Sequence, residues 1–151
     1  MNMIRVSEEA FYATEVPVIV GDAEIAKLKA ELHQTKRKRI RLCTHPNVNA
    51  PLHEMFVLYC KETKIGANKH FAKDETFYVM EGFADLVFFN DTGDVTQIVQ
   101  LGPYGSGNAF SARIPHDTWH DVVVSSDYLL LHETTPGPYI RDHTIWAPWS
   151  K

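Results

Sequence analysis

A chain of 151 residues with 44% hydrophobic and 23% charged residues has the size and composition of one ordinary globular domain that buries its own core. Its net charge of −4 argues against wholesale nucleic-acid binding. Its two cysteines, Cys43 and Cys60, form no close-spaced pair, which excludes a disulfide scaffold and a zinc ribbon.

No window approaches the roughly 18 apolar residues of a membrane span. The amino terminus lacks an apolar core of signal-peptide length and turns acidic at Glu8-Glu9. A cytoplasmic, reduced protein is the expectation. The unusual count is histidine, at 8 residues, which turns attention to metal or acid–base chemistry.

In chain order, Val16-Pro17-Val18-Ile19-Val20 reads as a short extended piece, an edge strand because of Pro17. Gly21-Asp22 then offers a helix cap, and Ile25, Leu28 and Leu32 share one helical face. The helix is expected to close in the basic run Lys36-Arg37-Lys38-Arg39, where positive charge suits its carboxyl end.

From residue 39 the pattern changes to strands: 39–43, 55–59, 76–80, 83–89, 95–101, 111–114, 121–124 and 128–132, with a glycine-rich loop over 102–108. About eight strands with turns at short intervals indicate an antiparallel sandwich or barrel of jelly-roll type. With no internal repeat or linker, the expectation is one domain, 1–36 an extension with the helix and 37–151 the barrel.

The chemistry concentrates in two stretches. Residues 68–82 place His70, Glu75 and Gly82 at intervals of five and seven, and Ile114-Pro115-His116-Asp117-Thr118-Trp119-His120 adds a histidine after a proline turn. Residues two apart on a strand share a face, so Asn68 goes with His70, Glu75 with Phe77 and Val79, and His120 with Val122 and Val124. If those faces line one interior, two imidazoles and a carboxylate converge and leave positions for water or substrate. Iron, manganese, nickel and zinc all accept such ligands. From spacing alone, two turn or core histidines and a surface acid fit equally well.

The first stretch resembles the first motif of the cupin superfamily, a His-x-His pair followed by Glu and Gly. Pro115 through His120 resembles the second motif, Pro-x-Gly-x-x-His. Asn68 stands where the first histidine of the pair would be, and Asp117 replaces the glycine. The resemblance implies a cupin barrel with His70, Glu75 and His120 as metal ligands and Asn68 as an optional fourth.

From about Arg37 to Trp149 the chain is similar to the WbuC-like cupin-fold metalloproteins. It carries Arg39-Ile40-Arg41-Leu42-Cys43-Thr44-His45-Pro46, Leu52-His53-Glu54-Met55 and His132-Glu133-Thr134-Thr135-Pro136-Gly137-Pro138-Tyr139. That branch implies a bacterial surface-polysaccharide setting and a sugar or nucleotide-sugar substrate.

Arg39 and Arg41 share a strand face and are candidates to hold an anionic substrate group. The blander account of this basic run is a solvated helix end. His45, His53 and Tyr78 are candidate proton-transfer groups, though exposed loop histidines and a sheet-packing tyrosine fit as well. Trp119, Trp146 and Trp149 are expected to close a barrel end or a dimer contact.

The reading is a cupin metalloprotein acting on a small polar, sugar-related molecule, without nucleic-acid or membrane partners, and a homodimer. The rivals are a metal-independent sugar-nucleotide isomerase or epimerase and a non-catalytic sugar or anion-binding module.

Overall fold

Strand alternation from residue 39 onward sends every second side chain inward, and two sheets close over the result. The computed structural model describes residues 1–150. One sheet holds seven strands. In chain order they are β1 (Met3–Ser7), β2 (Ala10–Ala13), β3 (Arg39–Cys43), β4 (Leu52–Cys60), β6 (Glu75–Glu81), β9 (Ser111–Ile114) and β11 (Tyr128–Pro136), and their spatial order is β1-β2-β3-β4-β11-β6-β9. The other sheet holds β5 (Asn68–His70), β7 (Ala84–Phe89), β8 (Val95–Leu101), β10 (His120–Val124) and β12 (Thr144–Trp146), ordered β12-β5-β10-β7-β8. All pairings are antiparallel except β2 with β3. This is the expected antiparallel jelly roll.

Between the sheets lies the core: Phe77 and Val79, Leu86 and Leu101, Val122 and Val124, Leu129 and Leu131. A second apolar layer sits outside the larger sheet. The helix α1 (Asp22–Leu32) lays Leu28 and Leu32 against Ile40, Leu42, Leu58 and Leu130, and the first five of these six are at most 1% exposed. Full burial of such a side chain stabilises by about 1.5–3 kcal/mol relative to leaving it in water, which anchors a helix that is short by itself.

Two expectations for the amino-terminal region need correcting. Residues 16–20 form no strand; instead Met3–Ser7 and Ala10–Ala13 make a hairpin whose second strand docks on β3 and buries Phe11. Proline lacks the N–H a sheet ladder needs, so residues 16–20 pair poorly. The helix also stops at Leu32, short of the basic run, where the Thr35 hydroxyl donates to the Leu32 carbonyl at 2.9 Å. The following residues turn away to meet the acidic Glu8-Glu9 corner.

Gly82 turns the chain from β6 to β7 with φ +86, and a Cβ there would lie 1.9 Å from the Tyr128 carbonyl oxygen. Only glycine fits. No helix among the described residues is long and apolar enough to cross a membrane.

Candidate metal centre in the barrel interior

The structure brings His70, Glu75 and His120 together from three strands and both sheets: His70 from β5 and His120 from β10 on one side, Glu75 from β6 on the other. Their ligand atoms all lie within 4.8 Å of one another. His120 Nε2 is 2.7 Å from Glu75 Oε1, and His70 Nε2 is 3.3 Å from Glu75 Oε2. Glu75 and His120 are buried, 8% and 5% exposed. The alternation that puts Phe77 and Val79 into the core beside Glu75, and Val122 and Val124 beside His120, aims the ligands inward.

The far nitrogens fix the ring orientations. His120 Nδ1 donates to the Thr118 carbonyl at 2.9 Å, so Nδ1 carries a proton and Nε2 alone is free to bind. His70 Nδ1 lies 3.2 Å from the Thr144 hydroxyl. With its Nδ1 proton committed to Thr118, a neutral His120 offers only an Nε2 lone pair beside Glu75 Oε1, 2.7 Å away, so this contact calls for a cation, either a proton on Nε2 or a metal ion. His70 can take either tautomer, because the Thr144 hydroxyl can donate to its Nδ1 or accept from it. Two imidazole nitrogens and a carboxylate oxygen, each oriented by a neighbour, fit a divalent ion.

Protonation follows from the same contacts. Burial would raise the Glu75 carboxyl, but hydrogen bonds from His120 and His70 and their charge outweigh it and hold its pKa well below the usual range. Burial works against a charged His120, but the hydrogen bond and charge of Glu75 win and raise its pKa above the ordinary 6.5.

Asn68 is buried beside the triad, directly across from His120 in the β5–β10 pairing. Its amide nitrogen donates to the Gly66 carbonyl at 3.0 Å, which turns that end of the side chain to the backbone. His45 and His53 stack at 4.0 Å with ring planes 6° apart, both buried. Burial lowers the pKa of each. His53 faces inward two strands from Glu75, about 10 Å across the sheet, so the pair lines the barrel end without reaching the triad.

Tyr78 is 46% exposed on the outer face of β6 and is not brought to the site. Arg39 is tied to Glu9 at 2.9 Å. Arg41 is half-buried on the inward face of β3. Trp119 and Trp149 meet edge-to-face at 5.0 Å and pack with Ala67 and Ala147, while Trp146 is half-exposed.

Residues 20–101 match the family described as a domain of unknown function, DUF6016. The chain belongs to this family. The matched span carries Asn68, His70 and Glu75 but stops short of His120. No functionally curated protein matches the chain.

Among solved structures it is similar to protein SO0799 from Shewanella oneidensis (TM-score 0.63, 14% identity, 85% of each chain covered). It is also similar to an oxalate decarboxylase from Lactobacillus farciminis in a formate complex (TM-score 0.51, 16% identity, 64% of this chain and 26% of that one). A third likeness is to CapF bound to the inhibitor 3-isopropenyl-tropolone (TM-score 0.53, 14% identity, 72% of this chain and 31% of that one). The chain thus spans about a quarter to a third of the latter two. At these identities the likeness is one of fold, and the fold is the cupin barrel.

In this DUF6016 member the barrel end around the triad holds polar residues that sequence reading did not single out as site groups. Glu133 of β11 and Tyr59 of β4 both face inward, each raised in pKa first by burial and then by a neighbouring carboxylate: Glu75 for Glu133, and Glu133 for Tyr59. Tyr12 and Cys43 lie beside Arg41 on the same wall. The available signal was period two: Leu129, Leu131, Glu133 and Thr135 alternate onto one face, so Glu133 continues the core row. A groove of about 390 Å³ between α1 and the outer sheet face, lined by Ile25, Lys29, Phe56 and Glu81 among others, contains none of these groups.

Proposed function

We propose that this protein is a cupin metalloprotein that holds one divalent ion on His70, Glu75 and His120 and acts on a small polar, sugar-related molecule. The observation that carries the reading is the convergence of two ring-oriented imidazoles on one buried carboxylate. A bound ion there would supply Lewis-acid polarisation of a substrate oxygen. The chain's own residues do the rest. Thr118 and Thr144 hold the imidazoles in place, the apolar core below excludes water, and Arg41 is placed to take an anionic group. Iron, manganese, nickel or zinc would suit this ligand set, with Asn68 at its edge. The WbuC-like resemblance supports a surface-polysaccharide setting, and an assembly of two copies is part of the proposal.

Elemental analysis of untagged protein beside the His70→Ala/His120→Ala double variant tests it. Near-stoichiometric metal that vanishes in the variant is the expected result. Negligible metal in the parent, with none taken up from a panel of divalent ions, sinks it.

One observation favours a metal-independent isomerase or epimerase instead. Glu75 already has both imidazoles as partners, and the Asn68 amide nitrogen is bound to Gly66. Under that reading sugar-nucleotide turnover persists in full after chelation.

A further inference from the structure

Most arginines in this chain meet a carboxylate. Arg5 pairs with Glu31, Arg37 and Arg39 with Glu9, and Arg113 with Asp74. Among the described residues, the Arg41 and Arg141 side chains have neither an ion pair nor a hydrogen bond. Arg141 is exposed, whereas Arg41 is half-buried on the inward face of β3, in line with the buried Val57. A guanidinium stays protonated, and leaving it half-desolvated without an anion is costly.

Glu133 is its counterpart. It sits on the inward face of β11, which is paired with β4 on one edge and β6 on the other, so its remaining exposed surface opens only to the barrel interior. Among the described residues its carboxyl also has no hydrogen-bond partner. Glu133 is paired with Phe77, two residues from Glu75 on the same face, which puts the two carboxylates on diagonal positions about 7–8 Å apart at Cα. Arg41, and after it Lys73 and His70, act on it as cations. An unpaired cation and an unpaired acceptor therefore face the same interior as the triad.

We propose that Arg41 and Glu133 form a ligand-reading wall beside the triad for a small carboxylate bearing a hydroxyl on the neighbouring carbon: a 2-hydroxy acid or a sugar acid. Arg41 takes the carboxylate through two N–H donors and Glu133 takes the hydroxyl. A hydroxyl suits this wall better than an ammonium, because Arg41 and Lys73 would repel a further positive charge. The proposal deepens the function proposed above and rests on it for any contact to metal. The contacts at Arg41 and Glu133 need no ion.

Calorimetric titration of the full chain with lactate, D-gluconate, propionate and propane-1,2-diol tests it, with metal content measured on the same samples. Lactate or gluconate should bind, propionate more weakly, and the uncharged diol not at all. Arg41→Gln should weaken hydroxy-acid binding by about 10- to 100-fold with metal content unchanged. Glu133→Leu should reduce lactate to the affinity of propionate. If Arg41→Gln proves unfolded by circular dichroism, Arg41→Lys, which keeps the charge and loses the fork, should give an intermediate affinity. The wall is refuted if neither hydroxy acid binds, if the diol binds as well as lactate, or if the folded Arg41 variant binds like the parent. Arg41-dependent binding in protein free of metal would uphold the wall and sink the metal reading; metal-loaded protein that ignores hydroxy acids would do the reverse.

Discussion

Glu75→Gln keeps the shape of the buried side chain and removes the charge on which both imidazoles converge. In the metal-free parent, Glu75 lies 2.7 Å from His120 Nε2 and 3.3 Å from His70 Nε2. A hydrogen bond to a charged group contributes about 1.5–3 kcal/mol. The amide can accept from one imidazole and donate to the other once that ring is neutral, so about 2–3 kcal/mol is the expected loss, below the 3–5 kcal/mol of a stranded buried charge. For a chain of this length that corresponds to a fall in Tm of roughly 6–9 °C.

The folded pKa of Glu75 is depressed, so its contribution is present above its ordinary 4.5 and lost as pH falls toward the folded value. That of His120 is raised, so its contribution is full below its ordinary 6.5 and lost as pH rises through the folded value. The metal-free pair is therefore worth most between 4.5 and 6.5. Thermal unfolding of chelator-treated parent and variant should show a wide gap at about pH 6 that narrows by about pH 8. A variant as stable as the parent at the lower pH, or a gap that widens with pH, would refute this account of the cluster.

Metal binding should run the opposite way, because the ion displaces the Nε2 proton of His120. The gain in Tm on adding zinc or manganese should grow from mildly acidic to mildly alkaline pH, and a gain that shrinks would count against coordination by His120. Asn68→His places a third imidazole opposite His120; metal affinity by competition with a chromogenic chelator should tighten by about tenfold or more. Gly82→Ala must either leave φ +86 or clash with the Tyr128 carbonyl, and the loss by urea unfolding should be about 3 kcal/mol or more. Cys43 and Cys60 are buried thiols whose pKa values burial raises. Both should react with a disulfide reagent far more slowly in native protein than in denaturant.

Legibility in the sequence followed how cleanly burial alternated. The ranges read for β3, β8 and β9 coincide with those observed, Arg39–Cys43, Val95–Leu101 and Ser111–Ile114. The 11-residue helix was readable from Ile25, Leu28 and Leu32, although its end was not, because charge pattern alone does not say which carbonyl a threonine will capture. The hairpin of β1 and β2 leaves little signal in the sequence: four of the five β1 residues are exposed, and only Phe11 on β2 is buried. The sequence pattern of β11 ends at His132, whereas the strand runs on to Pro136, because Glu133 to Pro136 have the composition of a polar turn. A polar residue at a core position reads as the end of a strand unless the alternation is carried through it. Glu75 and His120 were visible because they open strands whose inward neighbours are plainly apolar, and His70 because of its spacing from Glu75 and Gly82. Glu133 was hidden because it lies mid-strand.

That placement has a consequence for how the site is held. Three polar groups of the barrel end lie two residues from a core residue on the same face: Glu75 from Phe77, His120 from Val122, Glu133 from Leu131. Because side chains alternate with period two, a slip of one residue in any of these strands would exchange site for solvent and core for surface together. The packing that stabilises the fold therefore also sets the positions of Glu75 and His120. Substitutions deep in the core should then be felt at the site. A cavity at Val122, 8% exposed and next in line to His120, would loosen the imidazole as well as the sheet. Val122→Ala should weaken metal binding, measured by chelator competition, while an equally destabilising Leu32→Ala, on the far side of the larger sheet against α1, should not. Equal metal affinity in the two folded variants would show that the ligands are positioned independently of the core.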